Sequence, residues 1–435
     1  MANIVAIIGR PNVGKSTLFN RLIEEKKAIV DNQSGITRDR LYGTVEWNGK
    51  EFTIIDTGGF VPNSDDVFEK EILKQVKIAA EEATLILFMV DVSTGITDLD
   101  DKLSRFLRKT NKPTLMVVNK VDNHSRLLEA NEFYKFGIGE ELLPIAAISG
   151  SGTGELLDRL TKMLPEAESS QYDHLPKFTI VGRPNVGKSS FLNTLVGYER
   201  NIVTEIAGTT RDAIHTHYNH FGKEFVLIDT AGIRKKASVK ENIEFYSIIR
   251  AIKAIDDSDV CFLLIDAVVG IESPDLEIVR KIISAKKGLV LLANKWDLVD
   301  KETNSAKEYE KKYRSQLEPF VDLPILFISA TEKQRVFKAV EIALEVYERR
   351  KTRISTSKLN DVMLGEINHT PPPSVKGKFV KIKYITQLKT HTPTFVFFCN
   401  LPQYLRTSYK RFLENKLRKH FDLEGVPIAL VFRKK

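Results

Sequence analysis

Cysteine is nearly absent from this sequence. Two occur in 435 residues, Cys261 and Cys399, each inside an apolar run (Val260-Cys261-Phe262; Phe398-Cys399). That argues against a disulfide scaffold and leads us to expect buried, reduced thiols in a reducing compartment. No uninterrupted apolar segment approaches the roughly 18 residues that would suggest a membrane span. The first residues run straight into a strand, so no secretory leader is expected. A cytoplasmic protein without a membrane partner follows, and a monomer is expected. Acidic residues are scarce in one region only. From Lys351 to Lys435 there are 17 Lys and Arg against 5 Asp and Glu, whereas the first 350 residues carry 48 against 52. The net charge of +8 therefore belongs to the C-terminal piece, whose natural partner is a polyanion such as nucleic acid.

What the sequence does have, it has twice. Gly9-Arg10-Pro11-Asn12-Val13-Gly14-Lys15-Ser16 returns 173 positions later as Gly182-Arg183-Pro184-Asn185-Val186-Gly187-Lys188-Ser189, identical over eight residues. This is the phosphate-binding loop G-x-x-x-x-G-K-[ST]. Its backbone N–H groups cradle α/β-phosphates, its Lys reaches the β/γ-phosphates, and its Ser hydroxyl can ligate Mg²⁺. An apolar run enters each copy (Val5–Ile8; Phe178–Val181) and a helical pattern leaves it (Leu18, Phe19, Leu22; Phe191, Leu192, Leu195), with Thr17 and Ser190 beside the loop Ser also expected to bind the nucleotide. A helix N-terminus then lies under the phosphates.

The repeat sets the domain plan: a first nucleotide domain over 1–164, a polar, acidic linker over 165–176, a second nucleotide domain over 177–350, and a basic domain over 351–435. Strands are expected at Val5–Ile8, Glu51–Ile55, Leu85–Val90, Thr114–Val118 and Leu143–Ile148. The second set is Phe178–Val181, Glu224–Ile228, Val260–Ile265, Leu289–Ala293 and Pro324–Ile328. Alternation with helical segments such as Glu69–Glu82 and Asp98–Lys109 gives an α/β class, a mainly parallel sheet with helices on both faces. Ligands gather at the carboxyl ends of such strands. The last region reads α-β-β-α-β, a small α+β domain. Its second helix carries Lys410, Arg411, Lys416, Arg418 and Lys419 as candidate phosphate contacts.

Further motifs recur in register. Asp56-Thr57-Gly58-Gly59 and Asp229-Thr230-Ala231-Gly232 follow strands, placing Asp56 and Asp229 to hold Mg²⁺ and the Gly59 and Gly232 N–H groups near a γ-phosphate. Thr37 and Thr210, each before Arg-Asp, are placed to complete the Mg²⁺ shell when a γ-phosphate is present, which would make their loops switches. Asn119-Lys120-Val121-Asp122 and Asn294-Lys295-Trp296-Asp297 each follow an apolar strand. Asp122 or Asp297 can accept two hydrogen bonds from guanine; adenine lacks both donors, so an ATPase or kinase is disfavoured. Ser149 and Ser329 are read as ending further strands, where backbone N–H groups would hold the guanine O6.

The series of phosphate loop, T-R-D, D-x-x-G and N-K-x-D resembles the translation-factor-type GTPases. Two such domains followed by a basic α-β-β-α-β domain resemble the bacterial double GTPases of the Der (EngA) family over essentially the whole chain. The resemblance implies GTP or GDP as ligand, a KH-like C-terminal domain packed between the GTPase domains, and a role in assembling the large (50S) ribosomal subunit in contact with its rRNA. Two departures stand out. Ser149-Gly150 has Gly where the guanine loop usually reads S-A, which Ser329-Ala330 keeps. Gly365, Gly377 and Gly425 never form the G-x-x-G of an ordinary KH clamp.

Phe60 and Ile233 follow D-x-x-G where Ras-like enzymes place a water-orienting Gln, so intrinsic hydrolysis should be slow. The resemblance implies a K⁺ ion held by Asn12 and Asn185; Arg38, Arg211 or Arg234 are alternatives. Arg234-Lys235-Lys236 beside the second site suggests that it senses RNA. A competing expectation is an RNA-binding adaptor in which GTP only sets domain arrangement.

Overall fold

The computed structural model describes residues 3–29, 42–57, 76–139, 141–165, 172, 174–197, 202–207, 214–220, 222–228, 243–300, 305–375 and 377–434. The chain divides into two compact units, residues 1–168 with 240–253, and residues 169–239 with 254–435. The expected second and third domains thus share one unit, and 240–253 is counted with the first.

In the first unit the strands are β1 (Asn3–Ile8), β2 (Tyr42–Trp47), β3 (Lys50–Asp56), β4 (Leu85–Asp91), β5 (Thr114–Asn119) and β6 (Leu142–Pro144), in the order β2-β3-β1-β4-β5-β6. All neighbours run parallel except β2 against β3. Residues Ile4 to Ile8 are wholly buried, as a continuous apolar run between two helical layers must be. Ile4, Ala6 and Ile8 join the core on one face of the sheet, Val5 and Ile7 the core on the other. Helices α1 (Lys15–Ile29), α2 (Asp98–Arg108), α3 (His124–Glu129) and α4 (Thr153–Met163) follow the strand ends that carry the motifs.

The second unit repeats the plan with β7 (Lys177–Val181), β8 (Ile202–Ala207), β9 (Ile214–His220), β10 (Lys223–Ile228), β11 (Val260–Asp266), β12 (Gly288–Asn294) and β13 (Ile325–Phe327). Its sheet order is β13-β12-β11-β7-β10-β9-β8. Helices α5 (Lys188–Val196), α7 (Ser273–Ser284), α8 (Ser305–Gln316) and α9 (Val336–Lys351) accompany it, whereas α6 (Ile243–Asp257) is counted with the first unit up to residue 253. Each expected strand has a counterpart, but β6 stops at Pro144, short of the expected Leu143–Ile148. The antiparallel β2, β8 and β9 were not expected, because sequences such as Ile-His-Thr-His-Tyr-Asn-His form no apolar run.

The C-terminal region forms α10 (Thr356–His369), β14 (Ile382–Leu388), β15 (Thr394–Cys399), α11 (Thr407–His420) and β16 (Ala429–Lys434), the expected α-β-β-α-β order. Its core holds Phe395, Phe397 and Cys399 from the middle strand against Leu359, Met363 and Leu413 from the helices. Both cysteines are buried and neither forms a disulfide, as expected. Burial pushes the Cys261 thiol up to about 12, so it stays protonated and unreactive.

The C-terminal region is sewn to the second nucleotide domain within one unit. Val426 is fully buried in that domain's core with Val290 and Val346. Beside it the Leu289 N–H donates to Gly425 O and the Gly425 N–H to Asp322 O, both at 2.9 Å. Gly425 has φ of +75°, and a Cβ there would lie 2.8 Å from the Val346 side chain and 2.9 Å from Pro324. Arg418 donates to Asp322, Glu414 and the carbonyls of Leu423 and Val426, over the Phe320 ring. It is a structural rivet rather than the RNA contact suggested by its place in a basic helix. Lys416 likewise pairs with Glu366 at 2.7 Å.

Candidate functional site

Each phosphate loop leaves the carboxyl end of the central strand and turns into a helix, β1 into α1 and β7 into α5. The turn needs residues without side-chain bulk. Gly14 and Gly187 both have φ of +100°, and a Cβ would lie 2.3 Å and 2.1 Å from the amide nitrogens of Asn119 and Asn294. A Cβ at Gly9 or Gly182 would strike the Met89 or Leu264 carbonyl. Asn12 and Asn185, exposed at the loop tips, take φ of 66° and 64°. Val13 and Val186 are buried anchors; Ser16, Thr17, Ser189 and Ser190 lie exposed at the helix starts.

Lys15 folds across its own loop, donating from Nζ to the carbonyls of Gly9 and Arg10 at 2.8 Å each. Lys188 does the same with Gly182, at 2.6 Å, and Arg183. Burial lowers the Lys15 ammonium to about 8, against an attraction to Asp56. A phosphate in the loop would replace these carbonyls and favour the charged form.

The Asn of N-K-x-D ties two loops together. Asn119 donates to Val13 O at 2.7 Å and accepts from the Ala147 N–H at 3.0 Å. Asn294 donates to Val186 O at 2.8 Å and accepts from the Ala330 N–H at 2.9 Å. This equivalence corrects the sequence reading of the first guanine loop. The counterpart of Ser329-Ala330 is Ala146-Ala147, not Ser149-Gly150, and isolated bridges Ala146–Ser151 and Ser329–Gln334 repeat the same five-residue turn. Ser149 ends no strand; it lies exposed in the turn beyond β6, donating to Ala146 O at 3.2 Å. Ser329 is buried, and its Oγ accepts the Glu332 N–H at 3.1 Å.

Asp122 and Asp297 are exposed rather than buried, open at the rim where a base would arrive. Asp122, with 57% of its side chain accessible, is engaged by Arg126 at 2.8 Å. Lys120 and Lys295, both with positive φ, reach back to Asp91 at 2.6 Å and Asp266 at 2.7 Å. Burial works to raise each carboxyl, but the lysine and nearby backbone N–H groups outweigh it and hold both below the usual range.

The sequence reading passed over these two aspartates, and also the loop arginines. Arg10 donates to the fully buried Asp100 at 3.2 Å, contacts Thr94 and approaches Asp91. Arg183 pairs with the fully buried Asp275 at 2.9 Å, contacts Glu272 and donates to Gly270 O. Asp100 and Asp275 also close the capping boxes of α2 and α7. Each phosphate loop is thereby pinned to the helix that follows the neighbouring strand of the sheet, β4 or β11. The signal was available: both partners stand at matching distances after the strand-ending Asp, Asp91-(x)₈-Asp100 and Asp266-(x)₈-Asp275.

Ser16 Oγ donates to Asp56 Oδ2 at 2.5 Å, with Asp56 fully buried. Two adjacent hard oxygen donors opening toward the phosphate loop fit the chemistry of Mg²⁺, which takes few protein ligands and completes its shell with phosphates and water. Thr37, Gly59, Thr210, Asp229 and Gly232 lie outside the described residues, as do Phe60, Ile233 and the switch arginines.

Comparison with known proteins agrees with this geometry. Residues 4–120 and 177–295 match the family described as 50S ribosome-binding GTPase, and residues 353–433 match the KH-domain-like C-terminal domain of EngA bacterial GTPase enzymes. GTPase Der of Christiangramia forsetii is 58% identical over 435 residues, covering all of both chains. GTPase Der of Amoebophilus asiaticus is 57% identical over 435 residues, again covering both chains completely. That of Bacteroides fragilis is 55% identical over 438 residues with the same full coverage. No described helix is long and apolar enough to cross a membrane. Two GTPase domains with duplicated nucleotide loops and a KH-like third domain, matched end to end by such relatives, place this chain in the Der (EngA) family of bacterial tandem GTPases.

Proposed function

We propose that this GTPase acts in assembly of the large (50S) ribosomal subunit, its two nucleotide sites gating attachment to ribosomal RNA. The observation that carries the reading is the duplicated Asn119/Asn294 bridge, which builds a guanine-ready loop beside each phosphate loop. The family matching both GTPase stretches is described as ribosome-binding, and the basic C-terminal region supplies charge for RNA.

In this mechanism the loop N–H groups of residues 12–16 and 185–189 bind the α/β-phosphates. Lys15 and Lys188 exchange their carbonyl partners for β/γ-phosphate oxygens. Asp122 and Asp297 read the guanine edge, and Asn119 and Asn294 keep the base loop in register with the phosphate loop. Ser16 with Asp56, and Ser189 with Asp229, would hold Mg²⁺, joined by Thr37 and Thr210 when GTP is present. Mg²⁺ would neutralise charge on the β- and γ-phosphates. Gly59 and Gly232 offer N–H groups to the γ-phosphate. With Phe60 and Ile233 unable to orient water, intrinsic turnover is slow. Asn12 and Asn185, exposed at the loop tips, would hold a K⁺ ion through their side-chain carbonyl oxygens, and the ion would supply positive charge beside the phosphates; equal rates in Na⁺ and K⁺ buffers would remove it from the mechanism.

The test is co-sedimentation with large subunits in GDP or a non-hydrolysable GTP analogue, for wild type, Lys15→Ala and Lys188→Ala. Attachment only with the triphosphate, weakened in the variants, is expected. Equal attachment in every state would leave an RNA-binding adaptor whose GTP sites only set domain arrangement.

A further inference from the structure

The C-terminal sheet packs one face on α10 and α11 through Ile382, Ile385, Phe395, Phe397 and Phe432. Strand register then sets Tyr384, Phe398 and Arg433 side by side on the opposite face, one from each of β14, β15 and β16. The Tyr384 and Phe398 rings are 5.8 Å apart and tilted by 41°. Tyr384 is 39% exposed, Phe398 is half-buried and Arg433 is exposed. Just before β14 Phe379 has 74% of its surface accessible, and Lys381 and Lys383, on either side of the buried Ile382, are exposed. No acidic residue occurs between Glu366 and Glu414. Aromatic rings on a sheet, ringed by cations and free of carboxylates in sequence, have the chemistry that stacks bases and neutralises their phosphates.

Val396, on the same face, is buried, so the open part of the face is the end that carries Tyr384, Phe398 and Arg433. We propose that this open end of the sheet face is a base-stacking platform for single-stranded RNA. Tyr384 and Phe398 take the bases, with Phe379 at the edge, and Arg433, Lys381 and Lys383 take the phosphates. It does the work that a G-x-x-G clamp would do in another domain of this shape, and it rests on the RNA-binding reading above. A duplex cannot lay its paired bases on the rings, so the platform discriminates single strands from double.

The test uses the full-length protein and two fluorescent probes, an unstructured 12-nucleotide RNA and a 16-base-pair RNA duplex, followed by anisotropy. Tyr384→Ala with Phe398→Ala is expected to weaken single-strand binding at least tenfold, since stacking contributes about tenfold or more per base. Duplex binding stays unchanged, and Tyr384→Phe retains single-strand affinity. Arg433→Gln lowers the slope of log affinity against log salt by about one. Where the double variant loses thermal stability, Tyr384→Ala alone carries the test. Unchanged single-strand affinity, or equal loss for both probes, overturns the platform. Large-subunit sedimentation of the same proteins separates the two levels. If wild type attaches to subunits while the ring variants bind RNA normally, only the platform falls; if wild type binds neither RNA nor subunits, the proposed function falls with it.

Discussion

The two nucleotide sites share a backbone and differ in the side chains around it. Both hold Lys across the loop, Asn between loops, and Arg on a buried helix-capping Asp. At the first, Ala146-Ala147 forms the loop that Asn119 holds, and Arg126 occupies Asp122. At the second, Ser329-Ala330 stands there, with the Ser hydroxyl spent inside its own turn on the Glu332 N–H. The second domain also receives Val426 into its core. What persists is whatever fixes N–H and C=O directions; side chains that merely decorate the rim diverge. On the proposed function, guanine recognition rests on backbone placement plus one Asn and one Asp.

The largest test of that shared geometry is Gly14→Ala against Gly187→Ala. Each Cβ would enter the Asn amide, so each variant should lose nucleotide affinity at its own site by on the order of 100-fold, the equivalent of about 3 kcal/mol. Fluorescent-GDP titration of each variant, with the other site intact, reads this; near-wild-type binding would show the loops to be less constrained than their φ of +100° requires. Next comes Val426→Asp, which puts an unpaired charge into the second domain's core and should cost roughly 3–5 kcal/mol. Calorimetry should show the second domain's transition falling while the first domain's holds.

Smaller effects address the rim. Arg126→Ala frees Asp122 from an exposed pair, and first-site GDP affinity should rise about two- to fivefold, in line with less than about 1 kcal/mol for such pairs. Weakened binding would instead assign Arg126 to holding the loop, where it also donates to Lys120 O at 3.1 Å. Asp91→Asn and Asp266→Asn should behave alike. Each folded carboxyl lies below its ordinary value of 3.8, so the stability it contributes is present above that pH and is lost as pH falls through the folded value. The variants should therefore be less stable than wild type at pH 7, by about 1 kcal/mol, and converge with it in acid, as urea melts at pH 7 and pH 3 would show. Ala146→Ser, which makes the first guanine loop read like the second, should change GDP affinity by less than about twofold, because Ser329 shows that this hydroxyl turns inward.

Much of the site was legible because its motifs are local. Strand, loop, Lys and helix occupy a dozen consecutive residues, and a second copy removes coincidence. The guanine loop was misread in the first domain for a physical reason. A backbone N–H can be supplied by any residue, so Ala146-Ala147 carries no side-chain signature, while Ser149 nearby looked the part. The antiparallel β2, β8 and β9 escaped because polar residues interrupt them and leave no continuous apolar run. Arg418 was read as a candidate phosphate contact because its partner Asp322 lies 96 residues upstream.

The sequence by itself determined that this chain has two phosphate loops, guanine-type Asp residues and a basic third region, since each rests on residues adjacent in the chain and on side-chain chemistry that spacing alone reveals. Tertiary structure decided which backbone N–H meets Asn119, which Asp holds Arg10, and which cations of the last region are spent on ion pairs. Those choices depend on the direction of groups brought together from distant segments, and direction is set only when the sheet has formed and its cores have packed.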